Sequence, residues 1–239
     1  MKTNFMDFDD ASFTGFYKNE VVAGLPRKDP NSIISLRNFS GSWHGLPVKS
    51  GLIDIVDLAH PTLTCDLQSA FPLTSLNELI NARSVQLTEG NATVALKYKG
   101  PIERNNNTNS FLNGNIHFNG GSILYTPRNV TMKDVNGDIE FANSNVFIKD
   151  LRCNVLNNKI VMNGSAENVL TLINTDPNKV SVKYNIYSPA LNLSAFTYLL
   201  ATRSRTTNAS KGNGKSIGDM ANKLDELLEK SRIEVDLKA

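Results

Sequence analysis

The sequence predicts an all-β, mainly antiparallel fold, in which one elongated sheet curls or forms a groove. Three observations lead to this prediction. Apolar and polar residues alternate with a period of two in many short runs. Thirty of the 239 residues are Asn, a residue that favours turns over helix and strand interiors. Helical periodicity is clear in only one stretch, near the C-terminal end.

The alternating runs predict strands with one apolar and one solvated face, as in antiparallel sheets. Clusters of Asn, Gly, Asp and Pro bound them and predict tight turns. Turns are expected at 119–121, 143–145 and 156–159. The runs lie at 53–55, 92–100, 112–119, 135–141, 146–151, 160–164 and 180–187.

The C-terminal part is predicted to be different in character. Residues 203–215 read as a polar linker, and 216–232 carry Ile217, Leu224 and other apolar residues at the spacing of an amphipathic helix. Residues 233–239 alternate again and predict the opening of a further strand. The chain is therefore expected to be a fragment of a longer protein.

An internal repeat is predicted from two pairs of similar segments. Residues 36–43 share their pattern of apolar, basic, amide or acid, apolar, small and Gly positions with 132–139. Further on, 71–80 and 191–200 each predict a strand end, a Ser/Thr cap and a short helix. The predicted organisation is a β-groove region over 1–202, with copy one at about 32–80 and copy two at about 130–200.

Charge and cysteine content exclude several classes of function. The formal net charge is +2, which gives no basic excess for nucleic-acid binding. Without a CxxC motif or a Cys/His cluster, no zinc site and no other metal or cofactor is expected. Cys65 and Cys153 each lie in an apolar run and are expected to be small buried residues, although one disulfide stays possible.

Catalytic motifs are also missing from the sequence. There is no GxSxG, no P-loop, and the glycines of 114–121 lie in strand-like sequence, unlike a dinucleotide loop. Asp54 and Asp57 could form an acid pair, but nothing nearby in the sequence would tune their pKa values. The chain is therefore expected not to be an enzyme. A carbohydrate-binding role would need clustered aromatics, whereas the single Trp43 is expected in the core.

The alternation places a set of apolar residues on one face of the predicted sheet. A few short helices cannot cover a sheet of ten or more strands, so it must fold into a sandwich, close into a barrel, or curl into a trough that binds a ligand. A lipid is the ligand that best matches an apolar trough. The candidate lipid-groove residues are Val94, Leu96, Ile116, Phe118, Ile139, Phe141, Val182, Tyr184 and Ile186.

Five segments together resemble the AsmA-like family, whose members read "apolar-x-Asp-Val-x-Gly-x-Ile-x-Phe", then "apolar-x-Ile-Lys-Asn-Leu", then an apolar strand ending in Asn-Gly. A "Ser-Pro-x-Leu-Asp-Leu" turn follows, in which Asn192 here replaces the usual Asp. The segments are 112–118, 132–141, 146–151, 161–165 and 188–196.

The resemblance implies a repeating β-groove architecture of the kind shared with TamB. It implies a periplasmic protein, tethered to the inner membrane by a segment outside this chain. The implied role is to move phospholipid towards the outer membrane or to support outer-membrane assembly, with no catalytic residues. The sequence leaves one alternative open: a structural β-scaffold or protein-interaction module that docks to envelope proteins without binding lipid.

Overall fold

A computed structural model describes residues 7–80, 85–102, 110–143, 145–167, 181–200 and 232–238. They form one eleven-stranded sheet whose spatial order follows the sequence from the first strand to the last. The strands are β1 (Asp9–Lys18), β2 (Ile33–Trp43), β3 (Leu46–Val56), β4 (Thr62–Pro72), β5 (Val85–Pro101), β6 (Phe111–Tyr125), β7 (Val130–Ala142), β8 (Asn145–Val155), β9 (Asn158–Ala166), β10 (Ser181–Tyr187) and β11 (Arg232–Lys238).

The pairing confirms the all-β, mainly antiparallel prediction: the sheet is curled and open. Every neighbouring pair from β1 to β10 is antiparallel. Among the described strands, only β10 and β11 pair in parallel. Successive antiparallel neighbours otherwise need only short connections, which the many turn residues supply.

Two short helical segments lie at the same end of the sheet. The first helical segment (residues 73–80) consists of a 3-10 turn, Leu73–Leu76, that continues into α1, Asn77–Ile80. The second helical segment is the 3-10 helix Leu193–Leu200. The first follows β4 and the second follows β10, and these strands run in the same direction because six antiparallel pairings separate them. We call this end the helical end and the opposite one the far end.

Buried apolar residues concentrate in two clusters at the helical end. Leu73 and Leu79 of the first helical segment belong to the first cluster, and Phe196 of the second packs against the second cluster. The first cluster is Leu46, Phe71, Leu73, Leu79, Leu87 and Ala92; the second is Val130, Val135, Cys153 and Val155.

One local prediction needs correction, and one strand was not predicted. The segment 119–121 is not a turn, because β6 continues through it to Tyr125 and the register with both neighbours shifts there. Gly120 has a φ of +61° and its N–H donates to Asn136 Oδ1 at 2.9 Å, so the glycines form a β-bulge. The sequence also gave no sign of β1, because Phe13, Phe16 and Tyr17 do not alternate.

The other turn predictions agree with the backbone. Leu156 and Asn157 have φ of +49° and +63°, as expected for a two-residue hairpin turn. Asn143 has a φ of +49° at the β7–β8 connection, while Ser144 lies outside the described residues.

The predicted repeat stays a prediction, but strand direction bears on its alignment. Residues 36–43 lie in β2 and 132–139 in β7, and five antiparallel pairings make these strands run in opposite directions. An offset of six strands matches β2 with β8 and β4 with β10 instead. On that alignment Asn38 and Asp150 correspond, with φ of +51° and +45°.

The linker at 203–215 and the helix at 216–231 lie outside the described residues. Arg232, the last residue of the predicted helix, belongs instead to β11. The strand predicted at 233–239 therefore begins one residue earlier.

Candidate functional site: the apolar face of the sheet

The strand register places the candidate residues on one face of the sheet, which we call the apolar face. Residues directly opposite each other in paired strands share a face. One row of direct partners is Val94, Ile116, Ile139, Ile148, Gly164 and Tyr184; a second is Leu67, Leu96, Gly114, Phe141, Val146 and Ala166. Each row crosses six strands, a span of about 24 Å at the usual spacing of about 4.8 Å.

Glycines interrupt both rows at positions where a side chain would collide with the neighbouring strand. Gly114 has a φ of +130°, and a Cβ there would lie 2.0 Å from the carbonyl oxygen of Ala95. A Cβ on Gly164 would lie 2.8 Å from the Tyr184 ring. Gly114 therefore lets the backbones of β5 and β6 approach closely, whereas Gly164, which pairs with Tyr184, lets that ring lie close to the sheet.

The nine candidates divide into two groups by their packing. Val94, Ile116 and Phe118 are half-buried and pack against the first cluster at the helical end. A second group is also half-buried but belongs to neither cluster; it consists of Leu96, Ile139, Phe141, Tyr184 and Ile186. Burial raises the pKa of the Tyr184 hydroxyl above its ordinary value. The side chain of Val182 lies outside the described structure.

Sequence reasoning missed a large part of this face. The register continues it through β4 to β2, where direct partners include Leu36, Ile53 and Cys65. Tyr98 and Leu112 extend this row across β5 and β6. A sequence signal was available, because the residues of β4 around Cys65 do alternate, but the position of β4 between β3 and β5 was needed to place them.

The opposite, polar face is held by side-chain pairs between strands. Arg37 Nη1 donates to Asp54 Oδ1 at 2.9 Å, and Ser35 Oγ donates to the same oxygen at 2.6 Å. Burial raises the pKa of Asp54, but these two hydrogen bonds outweigh it and hold the pKa below its usual value. His117 Nδ1 and Asp138 Oδ1 share a cross-strand hydrogen bond of 3.0 Å, and Lys149 and Glu140 form a cross-strand ion pair. The contacts of Asp54 with Arg37 and Ser35 therefore give it a structural role, and no catalytic role is needed to explain its position.

Asp66 accepts hydrogen bonds from residues at a bulge in β3. Its Oδ1 accepts hydrogen bonds from the Leu52 N–H at 2.9 Å and the Ser50 hydroxyl at 2.8 Å, where the register between β3 and β4 shifts. Burial raises the pKa of Asp66, but the hydrogen bonds lower it by more, so the pKa lies below its usual value.

Both cysteines are buried and free, which confirms the prediction that they are small buried residues. Burial raises the pKa of Cys65 to about 11 and that of Cys153 above its ordinary value. Both are therefore neutral thiols at neutral pH, a form with low nucleophilic reactivity.

Other kinds of site have little support in the described part of the chain. No group of three His, Cys, Asp or Glu side chains there could hold a metal ion. Two shallow depressions of about 390 and 360 Å³ lie at the helical end, one beside Cys153 and Tyr187 and the other beside Ser40 and Pro47. Among the described helices none is long and apolar enough to span a membrane.

Comparison of the chain with protein-family models, with curated proteins and with solved structures finds no match.

Proposed function

We propose that this protein is a non-enzymatic lipid-binding protein of the cell envelope, which takes acyl chains onto the apolar face of its sheet. The observation that carries the proposal is the group of half-buried apolar side chains on this face that belong to neither buried cluster. Leu96 and Phe141 lie in one row across β5, β6 and β7, and both are half-buried although the sheet has a well-packed end elsewhere.

The geometry favours an extended apolar ligand over a compact one. The face is continuous over many strands and its members are Leu, Ile, Val, Phe and Tyr with interspersed glycines. Among the described residues, Ser69 of β4, which pairs with Val94, is the only polar residue that directly pairs with a member of the Val94 row. A surface with few hydrogen-bonding groups gives little chemical specificity but binds methylene chains well.

The size of the hydrophobic effect decides how tightly such a ligand is held. Complete burial of an acyl chain of about 16 carbons contributes about 12 kcal/mol at about 0.8 kcal/mol per methylene. An open face covers one side of the chain and so contributes about half of this, about 6 kcal/mol. That corresponds to a dissociation constant between the millimolar and micromolar ranges, which suits transfer of a lipid better than its storage.

The resemblance to the AsmA-like family points in the same direction. It supports a role in phospholipid transfer or outer-membrane assembly in the periplasm, with attachment to the inner membrane through a segment outside this chain. It also supports the absence of a catalytic step. Neutral buried cysteines and an Asp54 engaged by Arg37 and Ser35 are consistent with that proposal.

Native mass spectrometry with lipid extraction, on protein purified gently from a bacterial envelope, tests the proposal. The test variant is the double substitution Leu96→Asp with Phe141→Asp. These positions are better than Ile116 and Phe118, which pack against the first cluster. The matched control is Phe147→Asp, because Phe147 is also half-buried and lies on the neighbouring strand, but pairs with Glu140 on the polar face.

We expect phospholipid with the wild type and with Phe147→Asp, and loss of lipid from the double variant while its circular dichroism is unchanged. Equal lipid content in all three proteins, or none in any of them, would contradict the proposal.

A second function, a β-scaffold that pairs with a partner protein, is favoured by the outer edge of β1. Within the described sheet β1 has one neighbour, β2, and residues 11–17 contain no charged side chain. Uncharged exposed edge strands are sites for strand addition. If this is the function, Phe16→Lys abolishes binding to an envelope protein, and the double variant on the apolar face leaves that binding unchanged.

A further inference from the structure

The loop between β1 and β2 (residues 19–32) combines two properties that seldom occur together: it is held firmly, and it exposes apolar side chains. Val22 and Leu25 are each 53% exposed and Val21 is 40% exposed. Several apolar side chains exposed together on one loop mark a surface for interaction.

The loop is held by Asn31, which is buried at its base. Asn31 Oδ1 accepts a hydrogen bond from the Val22 N–H at 2.8 Å, and its Nδ2 donates to the Val22 carbonyl at 3.0 Å. The Val21 N–H donates to the Asn31 carbonyl at 3.1 Å. The exposed apolar residues are therefore fixed in place, and their backbone groups have partners inside the loop.

The loop lies at the far end of the sheet. β1 ends and β2 begins there, opposite the end that carries the two helical segments. The neighbouring β3–β4 turn is joined to it, since the Asp57 N–H donates to the Ser32 carbonyl at 3.0 Å and the Leu58 N–H to the Asp29 carbonyl at 2.9 Å. Val56, at the end of β3, adds a further exposed apolar side chain.

We propose that this loop inserts its apolar side chains into the surface of a lipid bilayer and so brings the far end of the apolar face to the membrane. The inference rests on the proposed function, since it states where lipid would enter the face. Three features favour a bilayer as the occupant over a protein.

The first feature is the internal pairing of the loop backbone. A polar group that enters an apolar phase without a hydrogen-bond partner is costly, and the Asn31 contacts remove much of that cost. The second is charge: Lys18 and Lys28 flank the apolar residues in the sequence and are exposed, and long cationic side chains can reach lipid phosphates. Arg27 is paired with Glu20 at 2.8 Å. The third is that the loop leads directly into β2, where Ile34 pairs with Ile55 and, through it, with Leu63 at the far end of the apolar face.

Co-flotation with vesicles of phosphatidylethanolamine and phosphatidylglycerol tests the proposal. The test variant is Val22→Asp with Leu25→Asp. The control is Tyr187→Asp, because Tyr187 is 51% exposed but lies at the helical end. We expect vesicle binding of the test variant to fall by about tenfold or more, since two apolar side chains are lost from the contact, and that of the control to stay near wild type.

A fluorescent label gives a second measurement that does not depend on a disruptive change. The two native cysteines are buried, so Leu25→Cys and Tyr187→Cys can be labelled at the surface with an environment-sensitive dye. On adding vesicles we expect a blue shift and quenching by brominated lipid at position 25 alone. Equal vesicle binding by all variants, a protein that binds no vesicles, or a blue shift at position 187 alone would overturn the proposal.

Failure of this inference can be distinguished from failure of the proposed function. Binding of a soluble fluorescent fatty acid reports on the apolar face without a bilayer. The Val22→Asp, Leu25→Asp variant should keep it, and the Leu96→Asp, Phe141→Asp variant should lose it. If both variants keep fatty-acid binding, the proposed function is refuted. If the loop variant binds vesicles as the wild type does, the inference is refuted.

Discussion

The two helical segments close the same end of the same sheet in different ways. The first inserts Leu73 and Leu79 into the first cluster, where they are 1% and 8% exposed. Among the described side chains of the second, Phe196 packs against the second cluster and is half-buried, as its counterpart Leu76 is against the first cluster. The described side chains therefore include fully buried leucines in the first segment and a half-buried phenylalanine in the second.

Their polar contacts also differ. Asn77 of the first segment donates from Nδ2 to the Leu87 carbonyl at 2.7 Å and accepts from the Leu87 N–H at 2.8 Å, so it ties the helix to the start of β5. Asn192 precedes the second segment, and its Oδ1 accepts from the N–H and hydroxyl of Ser194 in a local cap, while its own N–H donates to Oδ1 of the buried Asn158 in β9 at 2.7 Å. The comparison indicates that a side chain within the first segment ties it to β5, whereas the second segment is tied to β9 through the backbone that precedes it.

The largest effect on stability is expected when an apolar side chain is removed from each segment. We expect Leu73→Ala to lower the free energy of unfolding by about 3 kcal/mol, because a fully buried leucine leaves a cavity. Phe196→Ala should cost about 1 kcal/mol, because a half-exposed side chain has less apolar area to lose. Urea unfolding measures both. Leu76→Ala is the control, since Leu76 lies in the first segment but is half-buried. Equal costs for Leu73 and Phe196 would refute the comparison.

The next test concerns the two asparagines. We expect Asn77→Ala to cost about 2 kcal/mol, because both backbone groups of the buried Leu87 lose their side-chain partner. Asn192→Ala should cost about 0.5 kcal/mol, because water can replace an exposed cap. Hydrogen exchange gives a residue-specific check: the Leu87 amide should exchange faster in Asn77→Ala. Unchanged protection at Leu87 would show that Asn77 does not fix the first segment.

The smallest effect on the free energy of unfolding is expected from a change in pH. This test compares two bulges. The β3 bulge is held by a carboxylate, Asp66, whereas the β8 bulge is held by an amide, since Asn163 Oδ1 accepts from the Asp150 N–H at 2.9 Å. The pKa of Asp66 in the folded protein is below its usual value. Its contribution to stability is therefore present above the unfolded-state pKa of about 3.9 and is lost as the pH falls through the folded-state pKa.

We therefore expect Asp66→Asn to reduce the loss of unfolding free energy between neutral and acidic pH, and Asn163→Asp to increase it. Urea titrations at several pH values below about 4 measure the difference. Asp54→Asn is a useful reference, because the pKa of Asp54 is lowered in the same direction by Ser35 and Arg37. A pH profile unaffected by Asp66→Asn would show that the amide and the carboxylate are equivalent at this bulge.

Local signals made most of the strands predictable. Alternation identified the central parts of β5, β6, β7 and β8, and positive-φ turn residues such as Asn157 marked hairpins. Where a strand contains a bulge, the same signals misled: Gly120 and Gly121 have the composition of a turn, yet β6 continues because Asn136 supplies the missing hydrogen bond. β1 escaped detection because its aromatics follow no period of two.

For the candidate site, alternation by itself determined which residues of a strand share a face. It correctly grouped Leu96 with Val94, and Phe141 with Ile139, because successive side chains in a strand point to opposite sides. Only the tertiary structure decided which strands are neighbours, how bulges shift the register, and which end of the face the helical segments close. These depend on contacts between residues far apart in the chain, such as Leu73 with the first cluster and Asp66 with the β3 bulge, and a local pattern contains no information about them.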